Sequence, residues 1–219
     1  MAENLTPPGL MPQKNGTYAI TIECPNGLVA PHVLDAITGI ARDLGAIVHL
    51  TTAQKIMMLD LGEAEGKQAL TLLDAAGAPV RKARDISQPR VCVGRPYCSF
   101  ALQETFSLGN HLYRECARIP TPPRIKVAVS GCPACCSRSN CVDLGFVGVK
   151  SGFIVMLGGH GGARPAVGEE IGRISTHEEA GVILRNLAEL FSCEVKMKSR
   201  MDRVIRKLGI EEVKKRIWP

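Results

Sequence analysis

The spacing of its cysteines constrains this chain more than any other feature. Cys92 and Cys98 are separated by five residues, and a second cluster, Cys132, Cys135 and Cys136, follows only after the whole of residues 99–131. A fold that uses both groups must bring two loops, distant in sequence, to one point. Nine cysteines cannot all pair, and a reducing compartment keeps thiols free, so ligation is expected rather than disulfide bonding. Four soft thiolates drawn from two loops suit a cuboidal iron–sulfur cluster. The loop Ser130-Gly131-Cys132-Pro133 fits that use. Gly131 permits unusual backbone angles, Pro133 fixes the turn, and small neighbours let N–H groups approach sulfur. A structural zinc site is the alternative, but its knuckles pair cysteines about two to four residues apart, and the wider first gap fits it less well. Cys24, Cys116 and Cys193 read as buried small hydrophobes. The residues alone leave Cys141 undecided, and Cys135 competes with Cys136 for the fourth ligand position.

With 219 residues, 45% of them hydrophobic, the chain can bury a core as one domain or two small lobes. It has no apolar run of about eighteen residues, and Met1 to Gly16 lacks the features of a signal peptide, so no membrane association and a cytoplasmic location are expected. The formal charge of +6 favours anionic ligands or partners. An aromatic content of 4% leaves few stacking platforms for single-stranded nucleic acid, so no nucleic-acid partner is expected.

Along the chain, residues 1–14 read as an extended lead-in that need not be ordered. Thr17 to Cys24 alternates as a half-buried strand, closed by Pro25-Asn26-Gly27. Pro31 opens a helix whose apolar stripe is Val33, Leu34, Ile37, Ile40 and Ala41. Short strands over 46–50 and 55–61 and a helix over 66–76 complete a β-α-β-β-α order, which is ferredoxin-like. Residues 77–88 read as a linker, giving a first lobe over 1–85 and a second over 86–219. The expected fold class is α/β (α+β), a ferredoxin-like lobe followed by a second α/β lobe. That second lobe should hold a helix from Phe100 to about His111, a strand over 125–129, the loop 131–141 and strands over 145–150 and 153–157. Thr176-His177-Glu178-Glu179 is a capping box opening a helix through Phe191. Met201, Val204, Ile205 and Leu208 mark a last helix closed by Gly209.

Val91-Cys92-Val93-Gly94-Arg95-Pro96-Tyr97-Cys98, with Lys126-Val127-Ala128-Val129-Ser130-Gly131-Cys132-Pro133-Ala134-Cys135-Cys136, resembles the siroheme and [4Fe-4S] sulfite and nitrite reductase family. That family carries a C-x5-C pair, then a C-x3-C pair in an S/T-G-C-P context. Asp143 to Gly148, the run Gly158-Gly159-His160-Gly161-Gly162 and Leu50-Thr51-Thr52-Ala53-Gln54 resemble further family segments. The length is most similar to the small assimilatory-type sulfite reductases. The resemblance implies Cys92, Cys98, Cys132 and Cys136 as cluster ligands, with Cys136 also joining the cluster to siroheme. It also implies a glycine-rich cofactor loop at Gly158, Gly159 and Gly161. Anion-binding charges would come from Arg138, which follows Cys136 as a family C-x-R does, and from Arg95, Lys126 and Arg164, with Arg84, Arg90 and Lys150 as further candidates. Ala53 stands where many members place an anion-binding arginine, so Lys55 becomes the candidate to supply that charge and, with Arg138, to act on substrate.

The implied activity is six-electron reduction of sulfite to sulfide, with electrons from a separate protein such as a ferredoxin or cytochrome. Siroheme-dependent nitrite reduction to ammonia is the near alternative. An electron carrier holding only the cluster and a zinc-stabilised interaction module are the others. The residues Lys196, Lys198, Arg200, Arg203, Arg206 and Lys207 read as a solvated polar face or a dock for an acidic donor. No histidine is assigned a catalytic role.

Overall fold

The computed structural model describes residues 6–81, 87–119, 125–194 and 200–219. The expectations for Arg84, Lys196 and Lys198 fall outside these. The chain divides into two compact units, residues 1–83 and 84–219.

In the first unit, strands β1 (Leu10–Pro12), β2 (Tyr18–Glu23), β3 (Ile47–Leu50) and β4 (Lys55–Leu61) form one antiparallel sheet in the order β1-β2-β4-β3. Helices α1 (Pro31–Leu44) and α2 (Glu63–Ala75) pack with it. Pro31 sits in the first turn of α1, where its missing N–H costs nothing, and Gly45 ends the helix in the left-handed region at φ 69°. Val33, Ile37, Ile40 and Ala41 enter the core with Ile20, Ile22, Ile56, Met58 and Leu73, while Leu34 stays exposed. The lead-in is more structured than expected, because Leu10 and Pro12 pair with Ile20 and Tyr18. β2 is buried on both faces rather than one, since Ala19 and Thr21 are also withdrawn from solvent. The expected linker begins as part of this unit: Glu23 N–H donates to Pro79 O at 2.8 Å and Arg81 N–H to Thr21 O at 2.9 Å.

In the second unit, β5 (Ser87–Val91), β6 (Lys126–Ser130), β7 (Leu144–Val149), β8 (Gly152–Leu157) and β9 (Glu169–Ile174) lie in sequence order in one sheet. β5, β6 and β7 are parallel, and β8 and β9 complete the sheet antiparallel. Side chains alternate across it. Val91, Val127, Val129, Leu144, Phe146, Val155 and Leu157 face a core shared with α3 (Phe106–Arg118), α4 (His177–Glu194), α5 (Met201–Leu208) and α6 (Ile210–Ile217). Fully burying an apolar side chain of this size stabilises by about 1.5–3 kcal/mol. The opposite face carries Arg90, Ala128, Ser130, Gly145 and Val147, and residues 131–141 cross back over it.

Thr176 and Glu179 cap α4 reciprocally: Thr176 N–H donates to Glu179 Oε2 at 2.9 Å, and Glu179 N–H to Thr176 Oγ1 at 3.3 Å. α3 starts later than the periodicity suggested. The N–H groups of Leu102 and Gln103 are taken by Gly131 O, and Glu104 caps the helix through the N–H groups of Phe106 and Ser107. The structure adds β9 and α6 to the expected elements, and Gly209 joins two helices instead of closing the last one. The basic residues at this end are spent on neighbours: Arg206 on Asp202, and Lys207 and Arg216 on Glu194. Among the described residues no helix is long and apolar enough to cross a membrane.

Candidate functional site

Because β5 and β6 run parallel, they deliver the chain to the same end of the sheet, and both cysteine loops begin there. Cys92 follows β5 directly and donates its N–H to Val129 O at 3.1 Å. Gly131, the first residue beyond β6, directs its N–H at Cys92 Sγ from 3.1 Å. Hydrogen bonds to the ligating sulfurs are among the means by which a protein tunes an iron–sulfur cluster. The carbonyl of Gly131 accepts the N–H groups of Leu102 and Gln103 at 2.8 and 3.0 Å, while Arg95 N–H donates to Gln103 O and Cys98 N–H to Gly94 O. One residue thus ties the Cys98 loop to the Cys132 loop through both of its backbone groups.

This approach depends on missing side chains. A Cβ on Gly131 would lie 3.0 Å from Gln103 O and 3.1 Å from Gly94 Cα, and one on Gly148 would collide with Gly131 O. Thr105, wholly buried, closes the arrangement by donating its hydroxyl to Cys92 O at 2.6 Å. Nothing in the sequence marked Thr105 or Gln103 for these duties.

From Cys132 the chain turns back over the sheet. Cys135 and Arg138 both adopt left-handed backbone, φ 57° and 59°, which costs a non-glycine residue about 1–2 kcal/mol. A buried hydroxyl cluster offsets that cost. Ser130, Ser137 and Ser139 are mutually bonded at 2.6 to 3.1 Å, and Ser137 Oγ donates to Val129 O at 2.7 Å. The backbone of Ser139 then rests on Gly145, where any Cβ would collide with Ser139 O. The Cys132–Cys136 turn is therefore clamped against strands rather than left as a free loop.

All nine cysteines are free thiols. Cys136 is exposed, and Cys92, Cys98 and Cys132 are partly so. Among the described residues, no three His, Cys, Asp or Glu side chains are grouped closely enough to surround a single metal ion. A zinc site needs such a group, because ligands about 2.3 Å from one ion crowd together. A cuboidal cluster places its own body between the thiolates, and the Cys92 and Cys132 loop starts stand side by side at one end of the sheet. Burial pushes the Cys116 thiol up to about 12, and Cys24 is raised by the same cause, so both act as core residues. Cys193 is exposed, contrary to expectation, because it falls on the outer side of the last turn of α4. Cys141 sits where the crossing segment ends, its Cα against Gly159, at the far end of the sheet from Cys92 and Cys132.

The remaining candidates separate into groups. Arg95 and Arg138 stay with the cysteine loops; both are exposed, and Arg95 Nε donates to Ala101 O at 2.9 Å. Lys126 opens β6, so it lies a strand's length from Cys132. Gly158, Gly159 and Gly161 follow β8 at that same far end, roughly 16 Å along the strands from the cysteine end. Gly158 and Gly159 are required by the protein's own packing, against Ile205 and Asn140 O, whereas a Cβ on Gly161 would meet nothing. Arg164 lines a cleft of about 550 Å³ there with His160, Pro165, Asp202 and Arg206. Lys55, in the first unit, is corrected. It is buried, and its Nζ lies 2.5 Å from Glu23 Oε1, so its charge is compensated internally instead of being offered to substrate. Burial draws its pKa down, and Glu23 opposes that.

Comparison with known proteins agrees with this arrangement. The "Nitrite and sulphite reductase 4Fe-4S domain" family matches residues 82–218, and the "Nitrite/Sulfite reductase ferredoxin-like half domain" family matches residues 11–76. The chain is 28% identical over 205 residues to the assimilatory-type sulfite reductase of Nitratidesulfovibrio vulgaris, covering 92% of both. It is 27% identical over 197 residues to the NAD(P)H nitrite reductase of Bacillus subtilis, covering 88% of this chain but 24% of that one. The fold superimposes on Mycobacterium tuberculosis NirA with a TM-score of 0.76 at 23% identity, over 97% of this chain and 42% of that one. The chain therefore belongs to the nitrite and sulphite reductase family, oxidoreductases whose cofactors are a [4Fe-4S] cluster and siroheme.

Proposed function

We propose that this chain is a sulfite reductase of the assimilatory type, taking electrons from a separate protein such as a ferredoxin or cytochrome in the cytoplasm. The observation that carries the reading is the convergence of the Cys92 and Cys132 loop starts at the parallel ends of β5 and β6, with Gly131 bonded to both loops. Cys92, Cys98, Cys132 and Cys136 would hold the cluster, and Cys136, the exposed member, would face siroheme. When bound, these cofactors supply stepwise electron delivery and an iron at which the anion is reduced. The protein's part is to hold the thiolates, with Gly131 N–H directed at one of them, and to set cations beside them. Arg95 and Arg138 are exposed next to the cysteine loops and are the groups placed to attract sulfite or cofactor carboxylates. Gly161 and Arg164 remain candidates for a peripheral cofactor contact at the cleft.

The sulfite assignment is favoured over nitrite by a relative matched over 92% of both chains, an assimilatory-type sulfite reductase. The second reading, nitrite reduction to ammonia, has support from the nitrite reductases that match at similar identity. Steady-state turnover with each anion, using a reduced viologen as donor, separates them. A higher kcat/KM for sulfite is expected; faster use of nitrite at saturating donor overturns the choice. Acid/acetone extraction tests the enzyme reading itself, since a protein purified anaerobically without tetrapyrrole bands would be an electron carrier.

A further inference from the structure

The start of α3 breaks a local rule. A threonine at the N-cap ordinarily turns its hydroxyl onto the open N–H groups of its own helix. Thr105 occupies that position and makes no such bond; Glu104 takes the N–H groups of Phe106 and Ser107 instead, at 2.6 and 2.9 Å. The Thr105 hydroxyl donates across the fold to Cys92 O at 2.6 Å, and the residue is wholly withdrawn from solvent. Its side chain also fills the seam between the two cysteine loops. A Cβ on Gly94 would collide with Thr105 Oγ1, and one on Gly131 would lie 3.2 Å from Thr105 Cγ2. Cys92 is thereby held at three atoms: its N–H on Val129 O, its carbonyl by Thr105 and its Sγ by Gly131 N–H. Gly131 is not free to follow a shift of that sulfur, because its own carbonyl is fixed by the N–H groups of Leu102 and Gln103. The 3.1 Å approach of Gly131 N–H to Sγ therefore depends on how Cys92 is oriented.

We propose that Thr105 is a positioning residue for electron transfer: its hydroxyl sets the orientation of Cys92 and so keeps Gly131 N–H on Sγ. This role rests on the proposed one of Cys92 as a cluster ligand, and Thr105 acts through Cys92 rather than by touching the reacting atoms. Electron density added on reduction spreads onto the ligating sulfurs, and an N–H donor there stabilises the more negative state. Without the hydroxyl, the Cys92 carbonyl loses its side-chain donor in a buried place, the peptide turns to find another, and the sulfur leaves Gly131 N–H. The cluster then becomes harder to reduce.

The test is a dye-mediated redox titration of the full-length holoprotein, read by the electron paramagnetic resonance signal of the reduced cluster. Iron and acid-labile sulfide are measured on each sample, and thermal unfolding gives its stability. T105V keeps the shape and removes the hydroxyl, T105S keeps the hydroxyl and removes the methyl group, and T105A removes both. L108A, in the same helix, controls for lost stability alone. T105V and T105A are expected to be about tenfold harder to reduce, a shift of about 59 mV to more negative potential for one electron, or to lose cluster iron altogether. T105S and L108A are expected to keep the wild-type potential even where they unfold at lower temperature. A merely structural role would lower the stability of T105S and T105A together and leave every potential in place. Wild-type potential in T105V or T105A, a shift to more positive values, or a T105S that behaves like T105A overturns the proposal. A wild-type protein that carries no cluster iron overturns instead the cluster reading on which it rests.

Discussion

The two faces of the five-stranded sheet are held by different physics. One face presents Val127, Val129, Leu144 and Phe146 to helices, and its contacts are side chain on side chain. The other presents Ala128, Ser130 and Gly145 to residues 131–141, and there backbone lies on backbone with hydroxyls filling the gaps. An apolar face tolerates exchange of one side chain for another of similar volume. A face built by close main-chain approach does not tolerate even a methyl group, and this is the face on which the cysteine turn is set.

The largest effect should come from the cysteines themselves. Replacing Cys132 or Cys136 with serine should abolish cluster iron and acid-labile sulfide, whereas C193S should leave both at wild-type levels. A normal iron and sulfide content in C132S would break the assignment of the loop face as the cluster-bearing one. On the helical face, L108A should cost about 2–5 kcal/mol in denaturant unfolding, with the cluster retained under native conditions. On the loop face, G145A should cost less in global stability, about 1–3 kcal/mol, yet it should reduce cluster content, because the Ser139 backbone must move. The contrast between faces fails if G145A unfolds normally and keeps its iron.

Glu115 sharpens the comparison from the helical side. Its carboxylate, buried between α3 and α4, is raised by desolvation but brought below the ordinary range by Arg185 and Arg118. The folded pKa is thus depressed, and the stabilisation is present above the unfolded carboxylate value and lost as pH falls through the folded one. Both arginines are substantially exposed, so E115Q should cost only about 1–2 kcal/mol near neutral pH, and its stability should fall less steeply than wild type in acid. The smallest effect belongs to G161A, with nothing within 4 Å of its added Cβ. Unfolding should change by no more than about 0.5 kcal/mol, and any loss of tetrapyrrole from the variant would mark Gly161 as a point of cofactor approach.

Much of this was legible because local chemistry fixes it. Pro31 and the apolar stripe specify α1, and Thr176 with Glu179 specifies the start of α4. α6 lies beyond the expected helices although Ile210, Val213 and Ile217 repeat at helical spacing after Gly209. β9 carried little, since only Ile171 and Ile174 are buried and its strand state comes from pairing with β8. α3 begins only at Phe106 because Gly131, far along the chain, holds Leu102 and Gln103 in a loop through their N–H groups.

The sequence by itself determined the spacing of the cysteines, the family and the starts of α1, α4 and α5, since these depend on residues close together in the chain. Tertiary structure alone decided that Lys55 is spent on Glu23, that Gly158 and Gly159 serve packing, and that the glycine run lies at the far end of the sheet from the cysteines. The physical reason is that a charge or a backbone group acquires its role from what stands opposite it, and strand pairing chooses that partner from anywhere in the chain.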